Sequence, residues 1–255
     1  MTAEKSNIIC GLYPITKLVI AVCCIVLAFV LPDFVTRLCL VVFIQIAAII
    51  SGKYKSFIKY FLLTIGVLAL FILLIQSLFY QGTNPEILWT LGILSIKYEG
   101  ILYGLKIASA VLAFGSAILL FFQTTSIKDF IYSLEKSGLS SKAAYVVLAT
   151  LQMIPQMRKR SQVIMSAQKA RGVETEGNVF VRAKAFIPTL GPLVLSSIAG
   201  TEEKALTLEA RGFSSSAKKT HLFKLDDTKR DKVICIIAVI ITLILIIWRI
   251  AAWLI

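Results

Sequence analysis

The chain has 255 residues, 58% of them hydrophobic, with a mean hydropathy of +0.85 and a net charge of +13. An apolar share this high makes a lipid bilayer the natural solvent for much of the chain and excludes an ordinary soluble domain. The basic surplus fits cytoplasmic loops and anionic headgroups, and with no aromatic-interleaved basic patch it gives no support to a nucleic-acid partner.

The polar opening, Met1 to Asn7, is followed by no small-residue cleavage site, so no signal peptide is expected. Five cysteines (Cys10, Cys23, Cys24, Cys39, Cys235) lack C-x-x-C spacing, and four lie in apolar runs. They read as inert thiols rather than a disulfide framework or a metal site. Two apolar runs follow, Leu18–Leu31 and Leu38–Ser51, separated by a Pro32-Asp33 turn. Each is shorter than the roughly 18 residues of a confident span, which predicts a tight helical hairpin, tilted or partly buried.

The clear spans are Phe61–Tyr80, Ile107–Gln123 and Val233–Ile255. Lys106 and Arg249 sit near the ends of the last two, where long side chains can snorkel, and Trp248 and Trp253 suit an aromatic belt. Lys53, Lys55 and Lys59 predict a cytoplasmic loop before the first clear span, whereas Gln81–Glu99, with one base (Lys97) against Glu86 and Glu99, faces out. The segment from Thr124 to Lys232 carries eighteen of the 27 Lys and Arg and is expected inside, which leaves the C-terminus outside. Within it, Ala143–Met157 and Ala185–Thr201 are uncharged, but crossings there would expose a basic stretch to the outside, and Pro155, Pro188 and Pro192 interrupt them. They read as amphipathic helices packed under the membrane domain.

Two small-residue rows mark the span that opens at Gly100: Gly100, Gly104 and Ala108, then Ser109, Ala113 and Ala117. Such a face lets backbones approach closely, against the chain's own helices or against a separate membrane subunit.

The tripeptide Ala-Arg-Gly occurs twice in the basic segment, as Ala170-Arg171-Gly172 and Ala210-Arg211-Gly212. Helices over about 155–171 and 192–211 would be roughly 24 and 28 Å long, with proline near each start. Gly172 and Gly212 fit the left-handed residue that closes a helix, and each arginine complements the dipole at its C-terminal end. Met153, Met157, Ile164 and Ala167 form an adaptable stripe on the first helix. Leu193, Ser196, Ser197, Gly200, Lys204 and Leu208 follow a helical spacing on the second, where small residues would let the two helices cross. A rigid fork of donors at a rod's tip suits a carboxylate-bearing groove, and two well-capped helices with arginines in water are the plain alternative.

These residues carry a resemblance. Met153-Ile154-Pro155, Ala167 through Gly172, Ile187-Pro188, Glu202-Glu203-Lys204-Ala205 and Leu208 through Phe213 resemble the T component of energy-coupling-factor (ECF) transporters. The likeness also takes in Tyr98-Glu99-Gly100 through Ala108 and the Pro14, Thr16-Lys17 corner. Tyr13, Ile15 and Gln152 depart from the family's usual residues. The resemblance implies an all-α polytopic membrane protein with about five transmembrane helices. Residues 1–123 and 233–255 would be transmembrane, and 124–232 a cytoplasmic coupling region carrying two long Arg-tipped helices. It implies a non-catalytic scaffold in a bacterial or archaeal cell membrane, between two ABC ATPase subunits and a membrane substrate-binding S component, importing a vitamin or transition-metal ion. Arg171 and Arg211, with Ala170, Gly172, Ala210 and Gly212, would dock the ATPases. Gly100, Gly104, Ala108, Leu193, Ser197 and Gly200 would be candidate S-component contacts. No cofactor is expected, because ATP would be bound by the partners.

The chain itself has no G-x-x-x-x-G-K-[ST], H-E-x-x-H or G-x-S-x-G motif. Its one histidine, His221, falls in a polar stretch and reads as a solvated loop residue. A self-sufficient secondary transporter would place ionisable or broken-helix sites at the midplane, and the first four runs carry almost no internal charge. A substrate-binding ABC permease would usually present one coupling loop per chain, not two arginine tips.

Overall fold

A computed structural model of the protein describes residues 9–80, 87–91, 94–174, 177–215, 225 and 228–254. In chain order the helices are α1 (Pro14–Val30), α2 (Phe34–Ile50), α3 (Tyr54–Tyr60), a π-helical segment (Phe61–Gly66) and α4 (Val67–Phe79). After them come α5 (Tyr98–Thr124), α6 (Ile127–Lys136), α7 (Ser141–Ala170), α8 (Val179–Ala210) and α9 (Lys229–Leu254). The architecture is that of an all-α polytopic membrane protein. One small departure is an antiparallel ribbon of β1 (Ile87–Leu91) and β2 (Leu94–Lys97), inside the stretch expected as a plain outer loop.

Among the described residues, four helices are long and apolar enough to cross a membrane: Tyr54–Phe79, Tyr98–Thr124, Val179–Ala210 and Lys229–Ala252. The three clear spans of the sequence fall almost wholly within the first, second and fourth. The first runs unbroken through its π segment. The third, α8, was expected beneath the bilayer as a shorter helix. The chain divides into two compact units, residues 1–134 with 225–255, and residues 135–224.

The first unit is a bundle arranged around α5. Its core gathers Cys24 and Ala28 of α1, Val41, Ile44 and Ala48 of α2, Phe57, Phe61, and Ala113 and Ala117 of α5. Small residues dominate because helices in lipid gain association mainly from close packing. Gly100 is the tightest point: a Cβ there would stand 2.6 Å from the Gln76 carbonyl and 3.0 Å from the Tyr80 Cβ. At Gly104 an added Cβ would lie 3.2 Å from the Gln76 Cβ, and Ala108 is buried. Ile65, in the π segment, fits over Gly115 in the same way.

One end of this bundle is tied by polar side chains. Lys17 donates from Nζ to the carbonyls of Thr124 at 2.9 Å and Cys10 at 3.0 Å, and Lys53 donates to Gln123 O at 3.2 Å. Two ammonium groups therefore sit at the negative C-terminal end of α5, where the last carbonyls lack helical donors. Asp231, almost fully buried, accepts from the Tyr13 N–H at 3.4 Å and the Thr228 N–H at 3.1 Å, joining the starts of α1 and α9. Further along α5, Arg37 near the start of α2 donates to the Lys106 carbonyl at 2.6 Å. The short α1–α2 hairpin thus runs beside α5 from Lys106 to Thr124, roughly 27 Å, which is close to the hydrocarbon thickness.

In the second unit α7 and α8 begin earlier than expected, at Ser141 and Val179 instead of about 155 and 192. Capping explains the difference. Ser140 Oγ accepts from the Ala143 N–H at 3.3 Å, and Asn178 Oδ1 accepts from the Val179 N–H at 2.8 Å. Pro155, Pro188 and Pro192 consequently lie inside the helices, not near their starts, and do not interrupt them. With 30 and 32 residues, the rods are about 45 and 48 Å long.

Candidate functional site

The two Ala-Arg-Gly sequences close their helices by the same hydrogen bonds. At the end of α7, the Gly172 N–H donates to Lys169 O at 3.0 Å and the Val173 N–H to Gln168 O at 3.1 Å. At the end of α8, the Gly212 N–H donates to Glu209 O at 2.9 Å and the Phe213 N–H to Leu208 O at 3.0 Å. This double closure is the Schellman motif, and it needs a left-handed residue after the cap. Gly172 and Gly212 supply it, with φ of +87° and +71°. Arg171 and Arg211 occupy the cap positions with nearly identical backbones, φ −85° ψ 7° and φ −87° ψ 5°.

Both arginines are exposed, as are Ala170, Ala210 and the two glycines. Neither guanidinium bonds another described residue. Each tip therefore presents five N–H donors and a full positive charge at the negative end of a helix dipole. Such a group can enter a carboxylate-lined groove without first breaking a contact of its own. Among the described residues no three of His, Cys, Asp and Glu gather at one point, and His221 lies outside those residues.

Contacts along the seam fix the relation of the two tips. Tyr145 packs on Phe213 with ring centroids 5.0 Å apart, Arg160 meets Ser196, Met165 meets Thr189, and Gln168 meets Pro188. Rising numbers on α7 meet falling numbers on α8, so the pair is antiparallel. Arg171 lies at the end where α8 begins, and Arg211 at the end where α7 begins. With Gln168 opposite Pro188, the tips are roughly 39 Å apart along the rod. The structure repeats one tip at both ends of a helical hairpin; it does not bring the two together.

The small residues expected as candidate contacts for a separate membrane subunit lie largely against the chain's own helices. Gly100 and Gly104 face Leu73, Gln76, Ser77 and Tyr80 of the same chain, so α4 and the residue that ends it fill that face, and Ala108 is buried with them. Leu193 is buried in the second unit, and Gly200 lies beneath the Arg160 guanidinium. Helical spacing identifies a smooth face without saying which helix covers it. Ser197 and Gly200 remain half-exposed, and Ser197 lines an open groove with Met157, Val194, Ile198, Thr201 and Ala205.

Sequence reasoning missed the roles of Lys17, Lys53 and Asp231, which tie the bundle's end, and of Arg160 and Gln168, which bridge α7 to α8. A lysine three residues after the proline that opens α1 was the one local signal. The rest depend on partners far away in sequence, 218 residues away for Asp231 and Tyr13.

Comparison with known proteins adds to this geometry. Residues 5–222 match the CbiQ family model, described as cobalt transport protein. The chain is 30% identical over 248 residues to the energy-coupling factor transporter transmembrane protein EcfT of Brevibacillus brevis, covering 92% of both chains. The EcfT of Streptococcus equi subsp. equi is 30% identical over 256 residues, with 94% of this chain and 92% of that one covered. For the EcfT of Lactococcus lactis subsp. cremoris the values are 28% over 257 residues, with 95% and 94% covered. With the family model spanning most of its length, the chain belongs to the EcfT/CbiQ-like family of transmembrane T components of energy-coupling factor transporters.

Proposed function

We propose that this transmembrane component is the mechanical link of an ECF-type importer, joining two ABC ATPase subunits to a membrane S component that binds a vitamin or transition-metal ion. The ATPases bind and hydrolyse ATP; this chain contributes no catalytic group. Arg171 docks one ATPase and Arg211 the other, and closure of the ATPase pair on ATP moves the two tips. The observation that carries this reading is the repetition of one exposed, glycine-closed arginine tip at opposite ends of an antiparallel rod. Two equivalent tips roughly 39 Å apart suit two equivalent grooves on a paired partner.

For the S component, the groove at Ser197 with Met157, Val194, Ile198 and Thr201 replaces the filled face at Gly100. Residues 124–232 lie on the cytoplasmic side of a bacterial or archaeal cell membrane, with the C-terminus outside. The excess of Lys and Arg in that segment supports this orientation.

Reconstitution with the two ATPases tests the docking roles. Replacing Arg171 or Arg211 by Ala is expected to weaken association by about 2–5 kcal/mol, the range for truncating one member of a desolvated charge pair. Undiminished association and transport in the R171A/R211A chain would refute the assignment.

A further inference from the structure

The middle of α8 is the least helix-compatible part of the second unit. Pro188-Thr189-Leu190-Gly191-Pro192 places two prolines and a glycine in five residues, yet the helix continues from Val179 to Ala210. Proline removes one backbone donor and crowds the carbonyl four residues earlier, the usual origin of a kink. Pro192 thereby leaves the Pro188 carbonyl without its helical N–H.

That carbonyl is where α7 reaches across. Gln168 donates from Nε2 to Pro188 O at 3.3 Å. One turn after Pro192, Arg160 donates from Nη1 to Ser196 O at 2.9 Å. Its guanidinium covers Gly200, where an added Cβ would stand 3.3 Å from both Nη1 and Nη2. Between these contacts Thr189 is fully buried; its hydroxyl lies 3.1 Å from the Ala185 carbonyl and 3.7 Å from Met165 Sδ. The proline pair is thus bracketed by two side chains of α7, one at its first proline and one just beyond its second.

We infer that Arg160 and Gln168 are positioning residues, through which α7 splints α8 across Pro188–Pro192 and holds the spacing of the Arg171 and Arg211 tips. Unsplinted, α8 would bend at the proline pair and absorb a displacement of one tip. Splinted, it carries that displacement to the other. The consequence for transport rests on the coupling function proposed above; the splint itself is a property of this chain alone.

Spin labels at Lys184 and Leu206 test the splint in the full chain in lipid nanodiscs, with the five native cysteines replaced. Both sites are exposed and flank the proline pair, and straight helix holds them about 33 Å apart. The parent chain is expected to give one narrow distance distribution. In R160A/Q168A the distribution is expected to broaden at least about twofold, as the proline kink is released. Adding P188A/P192A is expected to narrow it again, because a continuous helix needs no splint. An unchanged width in R160A/Q168A would overturn the inference, as would broadening that persists after the prolines are replaced.

In the complex with its ATPases and S component, R160A/Q168A is expected to keep both ATPases bound. Substrate imported per ATP is expected to fall about threefold to thirtyfold, the span of mutations that perturb coupling between sites. Full import per ATP would refute the positioning role. A splint that behaves as described in a chain binding no ATPase would stand, and would refute the coupling function instead.

Discussion

In the bundle, Gly100 and Gly104 let two helix backbones touch; in the α7–α8 pair, Gly200 makes room for the side chain of Arg160. The bundle's basic groups Lys17 and Lys53 are spent on the carbonyls that end α5, whereas Arg171 and Arg211 remain exposed at the ends of α7 and α8. Both regions are helical and rich in small residues, yet these two lysines bond within their unit while the two tip arginines are held out. A rod with exposed, dipole-assisted cations at both ends is built to meet something else.

Substitutions can break this contrast in graded steps. The largest effects are expected at the tips, where R171A or R211A should cost about 2–5 kcal/mol of ATPase association while changing the chain's own unfolding by less than about 0.5 kcal/mol. A large loss of chain stability in thermal unfolding would place these arginines in the internal class instead. The reverse pattern is expected in the bundle. Replacing Asp231 by Ala leaves two N–H groups without their acceptor and should destabilise by about 1–3 kcal/mol. G100A forces a methyl against the Gln76 carbonyl and should cost a similar 1–3 kcal/mol, read from detergent unfolding midpoints. G172A meets open space and G212A only an ordinary contact with Ser215 Oγ at 3.9 Å, but each must hold a left-handed backbone, so about 1–2 kcal/mol should be lost from the local helix end. Hydrogen exchange at Val173 and Phe213 reports that loss directly. The smallest effect is expected at Gly66, where an added Cβ finds ordinary contacts of 3.5 and 3.8 Å; G66A should shift bundle stability by less than about 1 kcal/mol.

Much of this contrast was legible in the sequence, for identifiable reasons. Glycine after Ala-Arg at two helix ends reports a backbone requirement, and both glycines adopt positive φ. Charge-free runs near 20 residues announce spans without any tertiary information. The starts of α7 and α8 were not legible because Pro155 and Pro192 look like helix openings, whereas the caps are Ser140 and Asn178. Proline inside a helix is tolerated when neighbours take up the freed carbonyl, as Gln168 does at Pro188. The ribbon of β1 and β2 is not legible in the sequence because its two short strands carry no long alternating pattern. The partner of the Gly100 face was also hidden, since spacing defines a surface and only the fold names the helix that covers it.

The proposed docking needs both arginine tips in the same, cytoplasmic compartment, and α8 makes this a sharp question because it is long and apolar enough to cross a membrane. In an antiparallel pair, a crossing α8 would put Arg171 and Arg211 on opposite faces. Single cysteines at Glu174 and Ser214, beside the two tips, in a chain otherwise free of cysteine, can be probed with a membrane-impermeant maleimide in oriented vesicles. Labelling of both sites from the cytoplasmic face alone is the expected result. Labelling of one from each face would contradict the proposed docking, because a single pair of cytoplasmic ATPases could not then hold both tips.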